Sequence, residues 1–102
     1  MALAEVSVLP IGTSSPSVSK YIANCISVLK EYKNLNYKVT SMGTIIEGDL
    51  DEILRAIRRI HEEPFNHGVS RVVTAIRIDD RRDKKLTMNS KVDSVMVKLK
   101  EG

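Results

Sequence analysis

The stretch Met42-Gly43-Thr44-Ile45-Ile46-Glu47-Gly48 sets one hydroxyl and one carboxylate among apolar residues, bracketed by glycines. That mixture suits the holding of a small polar ligand better than the filling of a core. A second string, Ile78-Asp79-Asp80-Arg81-Arg82-Asp83-Lys84, places charges of both signs side by side after a β-branched run, more than a simple connection needs. Exposed ion pairs contribute only about 0 to 1 kcal/mol each, so such a run is either a solvated turn or a contact with a symmetry mate. In the second case Arg81 and Arg82 would meet Asp79, Asp80 and Asp83 partly out of water and set the register of two subunits. The interface reading is preferred. Phosphate binding by the two arginines is disfavoured by the three aspartates around them.

Other reactive residue types point to little chemistry. His61 and His67 flank Glu62-Glu63-Pro64-Phe65-Asn66, but a metalloprotease pair would need its second histidine where Phe65 stands, so no metal site is expected. Cys25 falls on the apolar stripe of a helix and reads as an inert core thiol. Being a lone cysteine, it has no internal disulfide partner, which fits a reducing compartment. The sequence holds no phosphate-binding loop, dinucleotide glycine fingerprint, nucleophile elbow or redox cysteine pair. No catalytic role and no cofactor are expected.

The chain has 102 residues, enough for one domain with one core, and at 42% apolar and 28% charged it has the make-up of a globular protein. Its net charge of +3, from 16 basic and 13 acidic residues spread along the length, gives no basic patch for nucleic acid. An RNA platform would stack bases on sheet aromatics, yet Tyr21, Tyr32, Tyr37 and Phe65 all fall off the two strands that would form one. Met1-Ala2-Leu3-Ala4-Glu5 lacks a basic leader and no apolar run nears membrane-spanning length, so a cytoplasmic location without membrane contact is expected.

The elements that must position these residues follow in order. Leu3 to Ile11 alternates and is rich in Val and Leu, which predicts a first strand ended by Pro10 and Gly12. Ser15 before Pro16 forms an N-cap and first-turn arrangement, opening a helix whose apolar residues Val18, Ile22, Cys25, Ile26, Leu29 and Tyr32 carry it to about Lys33. Tyr37 to Ser41 and Gly43 to Glu47 form a hairpin. Asp49 caps a second helix with a stripe of Leu50, Ile53, Leu54, Ile57 and Ile60, running toward a break from Pro64 to Gly68. Val69 to Ile78 is a long strand, and Met88, Val92, Val95 and Leu99 mark a terminal helix.

The order β-α-β-β-α-β with a trailing helix is the ferredoxin-like α+β plan, two helices on one face of an antiparallel sheet. Strand parity assigns Ala4, Val6 and Val8 with Val72, Thr74, Ile76 and Ile78 to the helices. The opposite face then holds Glu5, Ser7, Leu9 and Ile11 with Arg71, Val73, Ala75 and Arg77, with Glu5 and Arg77 close enough to pair. Such a face is too apolar for water and too charged for a core, and reads as a subunit interface, a ligand surface or both.

Taken together, Pro10-Ile11-Gly12-Thr13 with the serines after it, Met42-Gly43-Thr44 through Glu47-Gly48, His61-Glu62, and Ile78 through Lys84 with Lys91-Val92 resemble the small thiamine-binding-protein-like family. The resemblance spans nearly the whole chain. It implies a ferredoxin-like fold, binding of thiamine or its hydroxymethylpyrimidine portion, and assembly through the sheets into dimers and tetramers. A thiamine-type ligand presents donors and acceptors on its aminopyrimidine edge and a permanent cation on its thiazolium. Against these, Met42 offers a soft surface, Gly43 close backbone approach, Thr44 a hydroxyl and Glu47 a negative charge. Thr13 and Ser15 lie where free amides at a helix start would meet a polar ring atom or an anion. The plainer alternative is that Gly43 and Gly48 only turn the chain, Thr44 only favours a strand and Glu47 only meets water. A different class of function also stays open: a non-catalytic structural or regulatory protein acting through an oligomeric sheet surface.

Overall fold

The computed structural model describes residues 1–12, 19–83 and 87–101. The elements run β1 (Ala2–Ile11), α1 (Ser19–Leu29), β2 (Asn36–Val39), β3 (Thr44–Gly48), α2 (Leu50–Asn66), β4 (Arg71–Asp80) and α3 (Met88–Glu101). They build the expected ferredoxin-like α+β architecture: one antiparallel sheet in the order β2-β3-β1-β4, with α1 and α2 on one face. The predicted opening of α1 at Ser15 lies outside the described residues.

Register bears out the alternation, but Ile76 and Ile78, assigned to the helices, stay 42% and 46% exposed because β4 is an edge strand. Ala4 stands opposite Ile78, Val6 opposite Ile76 and Val8 opposite Thr74, while Glu5 stands opposite Arg77 and Leu9 opposite Val73. The core forms where the even-numbered strand residues meet the helices: Ala2, Ala4 and Val6 of β1, Ile46 of β3, Val28 and Leu29 of α1, and Ile53, Ala56, Ile57 and Ile60 of α2. Ile46, Ile53 and Ile60 are sealed from water, the burial that drives this layer together.

Boundaries differ from expectation for local reasons. The first helix ends at Leu29 rather than near Lys33, because Glu31 and Tyr32 donate their backbone N–H groups to Val28 and Leu29 in tighter three-residue turns. The second helix is not broken at Pro64 but runs through it to Asn66. So near the end, one lost N–H costs little, and His67 N–H closes on the Pro64 carbonyl at 3.0 Å. Leu54 does not join the buried stripe; Ala56 does, and Leu54 faces out beside Ile76 over the β4 edge. At the start of α2, Asp49 caps as expected, its carboxylate accepting from Glu52 N–H at 3.2 Å.

The helix α3 sits apart from this layer. Thr87 and Ser90 cap it reciprocally, each hydroxyl accepting the other's backbone N–H at 3.0 Å. Its first turn lies on the sheet face opposite α1 and α2, and from Asn89 to Lys100 every side chain is exposed. The radius of gyration of 15.3 Å exceeds the roughly 13 Å of a compact chain of this length, as a projecting helix requires.

Candidate functional site

Period-two alternation decides how the Met42 to Gly48 segment is used. Thr44 pairs with Val6 and points toward the helices; Glu47 pairs with Leu3 and points the other way. The two polar groups of this strand therefore serve opposite faces of the sheet, and each opens onto its own cavity.

On the helix side, a cavity of about 240 Å³ lies where α1 passes the β2–β3 hairpin, walled by Val6, Tyr21, Cys25, Met42, Thr44 and Ile60 among others. The hairpin is closed by Thr40, whose backbone N–H and hydroxyl both donate to the Gly43 carbonyl at 2.8 Å. Gly43 has a packing reason: a Cβ there would stand 2.9 Å from the Val6 carbonyl oxygen, so the close approach it permits is to β1. Gly48 likewise makes room for Leu35. Met42 is 81% exposed at the rim. Thr44 is only 9% exposed, yet its hydroxyl has no hydrogen-bond partner among the described residues. No side-chain oxygen or nitrogen sealed from water lacks a partner among the described residues, so the Thr44 hydroxyl is open to the cavity, where it can bond what enters. Cys25, in the same wall, has its thiol pushed up to about 11, first by burial and then by the nearby Glu63 carboxylate, which keeps it protonated and unreactive at neutral pH.

On the open side, a larger cavity of about 400 Å³ is roofed by the start of α3. Its floor is a row across the sheet, Lys38, Ile45, Glu5 and Arg77, standing opposite one another strand by strand. Glu5 and Arg77 face the same way but do not close to an ion pair within the chain; Lys91 instead reaches Asp79 at 2.6 Å. Glu47, 8% exposed, lies behind them with both oxygens in use. Asn36 Nδ2 donates to one at 2.8 Å and Met88 N–H to the other at 2.8 Å. A carboxylate on the first N–H of a helix meets the positive end of its dipole, so Glu47 pins α3 to the sheet.

Met42, Gly43 and Thr44 are thus brought together at one cavity, while Glu47 is held on the far side of the sheet. Thr13 and Ser15 lie outside the described residues. The charged run pairs locally: Arg82 with Asp80 at 3.0 Å and Arg81 with Asp83 at 2.6 Å, all at the end of β4. Its hydrogen bond to Asp83 raises the Arg81 pKa above the ordinary arginine value. His61 donates or accepts at Thr74 Oγ1, 2.7 Å away, and meets the Phe65 ring edge-on, a packing arrangement. Sequence reading missed Tyr21 and Thr40, although a threonine entering a tight hairpin is a known turn signal. It missed the separation of Thr44 from Glu47 as well, which an odd spacing of three along a strand already implies.

A four-stranded antiparallel sheet with a cavity at its helix-covered face and a second beneath a terminal helix defines a ferredoxin-like module with room for small ligands. The sequence profile of the thiamine-binding protein family matches residues 4–96, and the chain belongs to that family. It is 52% identical to the UPF0045 protein in the glkA 3′ region of Staphylococcus xylosus, over all of this chain and 98% of that one. It is 50% identical to UPF0045 protein YqgV of Bacillus subtilis, over 93% of this chain and 94% of the relative. Among solved structures, the MJ1052 protein of Methanocaldococcus jannaschii superposes with a TM-score of 0.84 at 44% identity, over 92% of this chain and 94% of the other. A Thermotoga maritima protein assigned provisionally to thiamine biosynthesis or salvage shares the fold, at a TM-score of 0.73 and 19% identity over 92% of this chain and 97% of that one. No helix among the described residues is long and apolar enough to cross a membrane.

Proposed function

We propose that the protein binds a small pyrimidine-bearing molecule of the thiamine type in the helix-side cavity and acts as a carrier, buffer or sensor without catalysing a reaction, in the cytoplasm. The observation that carries this reading is the Thr44 hydroxyl, open to a cavity of about 240 Å³ and without a hydrogen-bond partner among the described residues. A ring edge offering a donor or acceptor would satisfy it, and Met42, Tyr21 and Ile60 supply apolar or polarizable surface for the ring faces. Membership of the thiamine-binding protein family supports the choice of ligand. The protonated Cys25 thiol supports a binding role over nucleophilic chemistry. Calorimetric titration with thiamine and hydroxymethylpyrimidine tests this. Binding at micromolar to millimolar concentration is expected, weakened about three- to tenfold in Thr44→Val by loss of one neutral hydrogen bond. If no pyrimidine binds at millimolar concentration, the reading fails.

The second part of the proposal is self-association as a dimer or tetramer through the open sheet face and α3. Leu9 and Val73 on that face, and Val92, Val95, Met96 and Leu99 on α3, stand in water in the isolated chain. Burying them is favoured at about 25 cal/mol per Å². Glu5, Arg77 and Asp79 line this face and would pair across it, and Asp80, Arg81, Arg82 and Asp83, at the strand end beside Asp49 and Leu50, would extend the contact. Light scattering is expected to give a particle larger than one chain, and a stable monomer at micromolar concentration would sink the idea. Should the protein assemble yet bind no pyrimidine, the non-catalytic interaction reading takes precedence.

A further inference from the structure

The helix-side cavity is unusual in what its walls lack. Every side chain in its lining is apolar, hydroxyl-bearing, thiol or glycine; none is ionisable to a cation, and none is a carboxylate. Two carboxylate side chains reach the wall from outside the lining, and both are negative: Glu63, which acts on the Cys25 thiol, and Glu5, whose Cγ lies 3.4 Å from where a Gly43 Cβ would stand. Cations of the open face stand on the far side of the sheet: Lys38 pairs in register with Ile45, and Arg77 with Glu5, all turned away from Thr44.

We infer that this cavity is selective for the unphosphorylated ligand: it accepts a single neutral heteroaromatic ring and turns away the same ring bearing a phosphate on its exocyclic hydroxyl. The inference rests on the pyrimidine-binding reading and deepens it. A phosphate brought against these walls sheds water without meeting an arginine, a lysine or a metal, and an unpaired ion out of water is strongly disfavoured. A neutral ring meets no such cost, because its polar edge bonds to Thr44 and to the hydroxyls of Tyr21 or Ser41. Size points the same way. At about 240 Å³ the cavity lies below the range of about 300 to 1,000 Å³ that encloses drug-sized ligands, and suits one ring rather than two. A two-ring ligand such as thiamine would seat its aminopyrimidine and leave its cationic thiazolium at the rim, by Met42. A protein built this way belongs between reactions that release the free pyrimidine alcohol or vitamin and the kinase-type reaction that phosphorylates it.

Competition separates this inference from the function it rests on, because it reads only ligands that share one site. Protein is saturated with hydroxymethylpyrimidine, and thiamine or hydroxymethylpyrimidine monophosphate is titrated in. The monophosphate is expected to compete at least about tenfold more weakly than the alcohol, and thiamine within a few-fold of it. A cation placed at the rim by Ser41→Lys, an exposed position in the lining, is expected to narrow that gap by about tenfold. A monophosphate that competes as well as the alcohol in the parent overturns the selectivity and leaves the binding function intact. A gap that Ser41→Lys does not narrow overturns the electrostatic cause. If neither the alcohol nor thiamine binds at all, the pyrimidine reading and this inference fall together.

Discussion

The two faces of the sheet share four strands and almost nothing else. Toward α1 and α2 the strands present Ala4, Val6 and Ile46, packed to closure at the centre, with a neutral cavity at the hairpin end and Ile76 and Ile78 of the β4 edge still partly in water. Toward α3 they present Lys38, Glu5 and Arg77 in one row, roofed by a single helical turn, and apolar residues beyond it in water. The difference teaches that burial and charge were divided by strand parity. One face spends its apolar residues on folding, leaving a hydroxyl spare for a ligand. The other leaves Leu9 and Val73 half in water.

The sharpest way to break this comparison is to truncate one β-branched side chain to alanine on each face. Ile46→Ala, at a site closed to water, is expected to cost about 2 to 5 kcal/mol in urea unfolding. Val73→Ala on the open face should cost well under 1 kcal/mol in a dilute monomer and more as protein concentration rises, if a second copy covers it. Equal costs independent of concentration would erase the distinction between faces.

The pH dependence sharpens the helix-side half. Cys25 is raised from 9.0 to about 11 in the folded protein, so between those values the native state binds more protons than the unfolded state. Its contribution is fully present below pH about 9 and falls away as pH rises through about 11, at most about 2 to 3 kcal/mol. Thermal melts across that range should show a loss of stability that Cys25→Ala flattens relative to the parent. An identical slope in both would mean that the thiol is not buried as described.

On the other face the expected losses are smaller and local. Glu47→Gln removes the charge from the two hydrogen bonds that hold Asn36 and the first N–H of α3, a change of about 1.5 to 3 kcal/mol at most. Hydrogen exchange at Met88 and through α3 should quicken while the amides of β1 and α2 keep their protection. Pyrimidine binding should stay unchanged, since Thr44 faces away, and a large loss of affinity would reconnect the two faces. Smallest is Arg77→Ala, below about 1 kcal/mol in the folding of a single chain because Arg77 is exposed and closes no ion pair there. If Glu5 and Arg77 pair across a buried subunit interface, the cost in the assembly rises to about 3 to 5 kcal/mol and shows as dissociation on dilution.

Much of this was readable in the chain. Alternation in Leu3 to Ile11 and Val69 to Ile78 set which strand residues face the helices, because a period of two leaves no freedom once one face is apolar. Asp49 announced the start of α2, and the 3.6-residue stripe of Ile53, Ile57 and Ile60 its buried side. The same period places Thr44 and Glu47 on opposite faces, so grouping them at one ligand site ran against a rule already visible in the sequence. Tertiary structure alone decided what each then meets. That Thr44 opens onto a cavity depends on how far α1 stands from the hairpin, a packing distance no local pattern encodes. That Glu47 holds Met88 N–H depends on a helix 41 residues away folding back over the open face. Local periodicity orients a side chain, because it follows from backbone geometry; its partner is set by the three-dimensional path of the rest of the chain.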